Sequence, residues 1–249
     1  MPLFDIIIPC YNYAKFIRQS IESVLMQDVD LRILVIDDGS QDESRDICDQ
    51  IANNDSRITF RCHAENIGHI NTYNEGISWA SSDYLTILSA DDLLMPGALR
   101  RAAEAFAASP ETVVVHGRTL EFENGVPIES LLDGSALAKP AFNPADARVA
   151  LQQDEGTPIR VLEHELQAVA AISDTVTFFR SNRLYNSVHT CGTIVRTVVQ
   201  KQVGGYRKDL PHSGDLEMWL RLAAYGLVGY VSSFQGAWRV HGANMSSPY

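Results

Sequence analysis

The chain has 249 residues, 45% of them hydrophobic, with 20 Lys and Arg against 31 Asp and Glu, which gives a formal net charge of -11 and a pI near 5.0. That length and composition suit one large α/β core and exclude disorder on a domain scale, while the acidity excludes nonspecific attraction to nucleic acid or to an anionic membrane as the default, so an anionic substrate needs a local cation or metal. Four cysteines, Cys10, Cys48, Cys62 and Cys191, form no C-x-x-C pair, which argues against a zinc site or a disulfide framework and fits a reducing, cytoplasmic setting.

In chain order, "FDIIIPC" (4–10) reads as a strand closed by Pro9, and no basic leader precedes it. "YAKFIRQSIESVLMQ" follows with Ile17, Ile21, Val24 and Leu25 at helical spacing. "RILVID" is a strand, "DESRDICDQIAN" a helix with Ile47 and Ile51 inward, and "RITFRC" a strand again. "INTYNEGISWAS" offers Ile70, Tyr73, Ile77 and Ala80 as one helical face; "YLTILS" is a strand, and Pro96 opens the helix "PGALRRAAEAFAAS" ahead of the strand "TVVVH". Strands alternating with single helices imply parallel β-α-β units in a sheet covered on both faces, so residues 1–117 read as a doubly wound, nucleotide-binding half.

From about 118 to 185 the pattern carries no motif. Order returns with "CGTIVRTVVQKQVGGY" (191–206) and with the helix "DLEMWLRLAAYG", which sets Leu216, Trp219, Leu220 and Ala223 on one face and has Gly226 as its C-terminal glycine. Two strand-like runs, "LVGYVS" and "AWRVHG", follow. The final "ANMSSPY" has no closing element, which points to a native chain that continues past residue 249. No apolar run reaches the roughly 18 residues that a membrane-spanning helix needs.

Open parallel sheets bind ligands in the crevice outside the carboxyl ends of their strands. Those ends carry Pro9, Cys10, Tyr11 and Asn12, then Asp37, Asp38, Gly39 and Ser40, then Ser89, Ala90, Asp91 and Asp92. Neither a G-x-G-x-x-G fingerprint nor a G-x-x-x-x-G-K-[ST] loop is present, so backbone amides alone are not arranged to hold phosphate. Carboxylates at such a point repel phosphate unless a divalent cation, Mg²⁺ or Mn²⁺, lies between, and Asp91 and Asp92 fit that role. Taken alone they suit the N-terminus of the next helix equally well, and Asp37 with Asp38 suits an Asx-type turn into a helix starting near Asp42.

The segments "DIIIPCYNYAKFIRQSIESVLMQ", "VIDDGSQDES", "NIGHINTYNEGISWASSDYLTILSADDLLMPGAL" and "GDLEMWLRLAAYG" resemble, in order and spacing, family 2 of the inverting glycosyltransferases with the GT-A fold. The match is strongest over residues 4–107, moderate over 191–246, and absent between. The resemblance implies a single α/β GT-A domain, Rossmann-like, with a mostly parallel central sheet flanked by helices, in which 1–117 binds the nucleotide sugar and 118–249 forms the acceptor-binding and catalytic half. It implies that Pro9, Tyr11 and Asn12 line the nucleotide base, with the Tyr11 ring to stack on it, that Asp38 accepts from a base N–H, and that Asp37 supports the turn. Asn66, Gly68 and Asn74 match the elements that pack beside nucleotide and sugar; turn and helix-start roles suit each of them as well.

The family's D-x-D metal motif reads Ser89-Ala90-Asp91 here, so its first acid is absent, while the third position, the usual metal ligand, is kept as Asp91 with Asp92 as alternative. The resemblance makes Asp215 the general base, acting without the usual preceding Glu because that position is Gly214, with Glu217 as a weaker substitute. "WRVHGANMS" is similar to the family's closing R-x-H element, making His241 a candidate metal ligand and Arg239 or Ser246 a candidate phosphate contact; His189 and His212 flank the acceptor side. A Q-x-x-R-W motif is absent, since "QGAWRV" reverses its last two residues, which favours single-sugar transfer.

The implied activity is inverting, metal-dependent transfer from a nucleotide-diphospho-sugar, a UDP-sugar first, to a saccharide or lipid-linked saccharide hydroxyl. The implied setting is bacterial surface polysaccharide or glycoconjugate synthesis, in the cytoplasm at the inner face of the membrane with only peripheral contact. The Ser89 and Gly214 departures keep a catalytically impaired sugar-nucleotide-binding module as the alternative. A nucleotidyltransferase fits less well, because its first loop would carry glycines and cations and "PCYNYAKF" offers only Lys15.

Overall fold

A computed structural model describes residues 3–124, 126, 139–140, 171–174, 178, 186, 188–210, 213–242 and 244. Four strands form the parallel half: β1 (Phe4–Cys10), β2 (Leu31–Asp37), β3 (Ile58–Cys62) and β4 (Tyr84–Ile87). Helices α1 (Ile17–Leu25), α2 (Ser44–Ala52) and α3 (His69–Trp79) connect them. After β4 come β5 (Leu93–Leu94), α4 (Ala98–Ala108), β6 (Thr112–Glu123), β7 (Lys139–Pro140), β8 (Ala171–Ser173), β9 (Ile194–Arg196), α5 (Thr197–Val203), α6 (Gly214–Ala223) and β10 (Leu227–Val240). The ten strands among the described residues belong to one sheet, ordered β3-β2-β1-β4-β9-β6-β10-β5, with β7 on β6 and β8 on β10.

β1 alternates its side chains between two cores, as the period of two requires. Ile6 and Ile8 pack with Ile17, Ile21 and Val24 of α1 and with Leu99 and Phe106 of α4. Ile7 faces the other way, against Ile70, Tyr73 and Ile77 of α3 and Trp219 and Leu222 of α6. Because both faces are covered, the strand reads as an unbroken apolar run rather than an alternating one. Pro9 lies beyond Ile7, the last β1 residue paired with β4, where a missing N–H costs least. Asp5, fully buried in β1, accepts from Arg32 at 2.7 and 2.9 Å and from the backbone of Ser81 and Ser82, so the chain entering β4 is fastened to the sheet.

Several boundaries differ from the sequence reading. Helix α2 begins at Ser44 and α4 at Ala98, the latter after a left-handed Gly97 (φ 73°), so Pro96 lies outside the helix it was expected to open. Helix α6 ends with Ala224 in a right-handed conformation, so Gly226 is not a left-handed cap. A side chain there would meet the Glu111 carbonyl and Val113 at 2.5 Å, so close approach of the backbone explains that glycine. The two runs "LVGYVS" and "AWRVHG" are one strand, β10, whose register against β6 shifts around Phe234. β6 extends from Thr112 through Glu123, past the end of "TVVVH", without a break at 117.

Candidate active site

The carboxyl ends of β1, β2 and β4 open onto one crevice of about 990 Å³. Its walls include Pro9, Tyr11 and Asn12 from the first loop, Asp38 from the second, Asn66 and Gly68 from the turn before α3, and Ser89, Ala90, Asp91 and Asp92 from the loop after β4. The far wall brings Thr190, Gly214, Asp215 and Trp238 to the same space.

The first two loops are stitched together by local polar contacts. Asn12 adopts φ 59°, a left-handed conformation that asparagine tolerates; its N–H donates to Ser40 Oγ at 2.9 Å and its Oδ1 accepts from Gln41 N–H at 2.8 Å. Asp42 accepts from the backbone of Ala14 and Ser44 at 3.1 and 2.9 Å; burial opposes ionisation, but these hydrogen bonds prevail and its carboxyl lies below the usual range. Asp37 is wholly buried and accepts from Ser40 N–H at 3.1 Å, while its Oδ1 has no hydrogen-bond partner among the described residues. Asp38 accepts from Ile67 and Gly68 N–H, each at 2.9 Å. Gly68 has φ 90°, so a side chain would be strained there although the space beside it is open. Tyr11 keeps its ring partly exposed at the mouth.

The acidic pair lies deeper. Asp91 Oδ2 is 3.1 Å from His241 Nε2 and accepts from Asn244 Nδ2 at 3.4 Å. The Tyr13 hydroxyl also hydrogen-bonds Asp91, and burial together with that carboxylate pushes the phenol pKa up. Asp92 is held by the Arg239 N–H at 3.1 Å; burial, then the charge of Asp91, pushes its carboxyl well above the usual range. The Arg239 guanidinium is sandwiched between Phe16 and Phe122 and donates to the Asp91 carbonyl oxygen at 2.9 Å and to Gln19 at 2.7 Å. It therefore braces the loop rather than facing the crevice.

Among the described residues no group of three or more His, Cys, Asp or Glu could hold a metal ion unaided. The donor chemistry still fits a hard divalent cation shared with a phosphate ligand, because two crowded carboxylates face the space and the nearby guanidinium turns its donors elsewhere. His241 stands behind Asp91, outside the crevice walls, in an orienting position.

Across the crevice, Asp215 opens α6 and accepts from Thr190 Oγ1 at 2.9 Å. Burial raises its pKa, against the Thr190 hydrogen bond and the nearby His69 and His189. Burial lowers the pKa of His189, whose ring centroid lies 6.2 Å from that of Trp238. Tyr73, buried by α3 against Tyr206, hydrogen-bonds Ser89 and feels the charge of Asp215, so it connects the two walls.

Besides Arg239 and His241, two further sequence candidates sit elsewhere. Asn74 does not border the crevice: its amide pairs with Tyr206, accepting from the N–H at 2.6 Å and donating to the carbonyl at 2.9 Å. Glu217 is engaged by Arg221 at 2.6 and 2.9 Å and is no rival to Asp215. His212 and Ser246 lie outside the described residues. Tyr13, Tyr73, Thr190 and Asn244 are additions to the sequence reading; each lay within or beside a quoted motif, yet its role depends on a hydrogen bond to an element distant in the chain.

The chain is 25% identical over 254 residues to an uncharacterized glycosyltransferase of Haemophilus influenzae, covering 100% of this chain and 68% of that one. It is 35% identical over 113 residues to an uncharacterized glycosyltransferase of Nostoc, 45% of this chain and 35% of the other. It is also 32% identical over 113 residues to the GalNAc(5)-diNAcBac-PP-undecaprenol beta-1,3-glucosyltransferase of Campylobacter jejuni, 43% of this chain and 37% of that enzyme. The chain thus spans between 35% and 68% of the lengths of these relatives.

In fold it is similar to S. aureus TarS in complex with UDP-GlcNAc (TM-score 0.66, 19% identity, 99% of this chain and 61% of that one). It is similar too to the mannosyltransferase PcManGT of Pyrobaculum calidifontis in complex with GDP-Man and Mn²⁺ (TM-score 0.64, 17% identity, 98% and 58%). The single mixed α/β domain is thus of the GT-A kind. With the family model for glycosyl transferase family 2 matching residues 5–162, well over half its length, the chain belongs to that family.

Proposed function

We propose that the crevice binds a nucleotide-diphospho-sugar, a UDP-sugar first among donors, and that the chain transfers the sugar to an acceptor hydroxyl with inversion at the anomeric carbon. The observation that carries this reading is the opposition, in one crevice, of the acidic pair Asp91 and Asp92 and the half-buried carboxyl of Asp215. Residues 1–117 hold the donor, and 118–249 supply the base and the acceptor side. Tyr11 stacks on the base, Asn12 and Pro9 shape its slot, and Asp38 Oδ2 accepts from a base N–H. Asn66, Gly68, Ser89 and Ala90 line the path of the ribose and diphosphate, where side chains at Gly68 and Ala90 are small enough for close approach. A divalent cation, Mn²⁺ or Mg²⁺, held by Asp91 with Asp92 in reserve, would neutralise the leaving diphosphate.

Asp215 takes the proton of the acceptor hydroxyl while that oxygen attacks, and Thr190 keeps the carboxylate aimed. No covalent intermediate is required, because one acid serves one displacement. The fold relatives captured with UDP-GlcNAc or with GDP-Man and Mn²⁺ support the donor class and the metal. The Campylobacter relative, named for an undecaprenol-linked substrate, supports a lipid-linked saccharide acceptor, with peripheral contact at the cytoplasmic face of a bacterial membrane and a place in surface polysaccharide synthesis.

A second reading, a catalytically impaired sugar-nucleotide-binding module, draws on Ser89 and Gly214 standing where the family carries acids. Release of nucleoside diphosphate from UDP- and GDP-sugars, with and without Mn²⁺, separates the two. A transferase leaks slowly to water, and Asp215→Asn lowers the rate about 10²–10⁴-fold while donor binding persists. Binding without release in the wild type establishes the module; an unchanged rate in Asp215→Asn removes Asp215 as base.

A further inference from the structure

His63 follows directly on β3 and lies outside the crevice walls, yet its ring bridges two carboxylates. Nδ1 is 2.7 Å from Asp38 Oδ1, and Nε2 is 2.8 Å from Glu75 Oε2 on α3. Arg61 of β3 donates to the other Glu75 oxygen at 3.0 Å, and the His63 N–H donates to the Asp37 carbonyl at 2.8 Å. Ionised carboxylates only accept, so both ring nitrogens have to donate, and only the imidazolium can do that. Burial works against the charge, but the hydrogen bonds to Asp38 and Glu75 and their charges prevail, leaving the His63 pKa raised. The charged groups around the ring are Asp38 from the loop after β2, Glu75 from α3 and, as opposing cation among the described residues, Arg61, which is committed to Glu75.

Asp38 Oδ1 is thereby saturated by His63 and by the Ile67 N–H, while Oδ2 takes, among the described residues, only the Gly68 N–H, which leaves this crevice-lining side chain an acceptor site. We propose that His63 is a positioning residue for nucleotide recognition: as a double donor clamped between Asp38 and Glu75, it fixes the Asp38 carboxylate and the turn from 63 to 68 so that Oδ2 meets the base. Loss of its proton turns a ring lone pair against one carboxylate and loosens both. The inference rests on the crevice being the donor site. Nucleotide affinity is then full below the His63 pKa and falls as pH rises through it. Because the backbone hydrogen bonds to Asp38 remain, the fall is about tenfold rather than complete, the scale of one hydrogen bond to a charged group.

The test follows the His63 ring by NMR across pH 6 to 9, in the wild type and in Glu75→Gln, and measures UDP and GDP binding by calorimetry over the same range in the wild type and in His63→Asn. The expected result is a His63 midpoint above that of ordinary imidazole, lowered by Glu75→Gln. Wild-type affinity should fall about tenfold across the same interval, and the dependence should flatten in His63→Asn, which keeps a single amide donor near the Nδ1 position. The ligand's own titration cancels in the ratio of wild type to variant. Affinity that stays level in that ratio while His63 loses its proton overturns the proposal, and where His63→Asn does not fold the ratio is taken against Glu75→Gln, whose fall should come at its own lower His63 midpoint. If neither nucleotide binds at any pH while the imidazole still titrates high, the donor-site reading fails, and the role of His63 fails with it.

Discussion

Asp215 is half-buried at the head of a helix, where among the described residues Thr190 donates its hydroxyl to one carboxylate oxygen, and desolvation holds its pKa up. A base must be ionised, so transfer is expected to rise with pH through that elevated pKa and to fade below it; a rate independent of pH on the acid side would remove Asp215 from the step. The linkage to stability has the opposite sign. The folded state holds this proton more tightly than the unfolded chain does, so the contribution is present below the unfolded pKa and is lost as pH climbs through the folded one. Asp215→Asn, which keeps the oxygen that accepts from Thr190, should therefore melt higher at neutral pH while losing turnover. The gain is about 1 kcal/mol, or roughly 2–4 °C for a chain of this size, in a calorimetric scan. An unchanged or lower midpoint would mean that the half-buried carboxylate is not a strained group.

Helix α3 ties the two walls together, and two of its residues carry the attachment. A Cβ on Gly76 would lie 2.3 Å from the Ile7 Cγ2 of β1, so Gly76→Ala should destabilise the chain by about 1–3 kcal/mol in urea unfolding. Asn74 clamps both backbone groups of Tyr206, ahead of α6; Asn74→Ala leaves a buried donor and acceptor without their partner, for about 1–3 kcal/mol, and lets Asp215 drift from the acidic pair. Turnover should then fall while UDP affinity, measured by calorimetry, stays near wild type; an equal loss of both would return Asn74 to the donor contacts.

That clamp also marks how far the sequence was legible. Asp38 and Asp91 could be picked out because each follows a strand end that the hydrophobic pattern locates, whereas Asp215 was reached only through the family resemblance of its helix. The amide of Asn74 is taken by a backbone 132 positions away, and the Tyr13 and Tyr73 hydroxyls act across loops, so no local spacing reveals them. Gly226 misled for a related reason: a glycine needed for close approach to Glu111 looks, in one dimension, like a cap.

The sheet as a whole explains how an acidic chain could serve the proposed polyanionic donor. Its strands deliver Asp38, Asp91 and Asp92 to one crevice, where two carboxylates are crowded enough for burial and mutual repulsion to raise the pKa of Asp92. A divalent cation at Asp91 and Asp92 would relieve that repulsion and, with it, that of the proposed donor's diphosphate. No helix among the described residues is long and apolar enough to cross a membrane.

The most direct measurement is a thermal-shift titration of UDP-, GDP-, dTDP- and CMP-sugars with and without Mn²⁺, on the wild type and on Asp91→Ala. A donor site of the proposed kind gives stabilisation by one nucleotide class that requires both Mn²⁺ and Asp91, about 2.7 kcal/mol at 100 times the dissociation constant. No stabilisation by any nucleotide sugar, or stabilisation indifferent to Mn²⁺ and to Asp91, would contradict it.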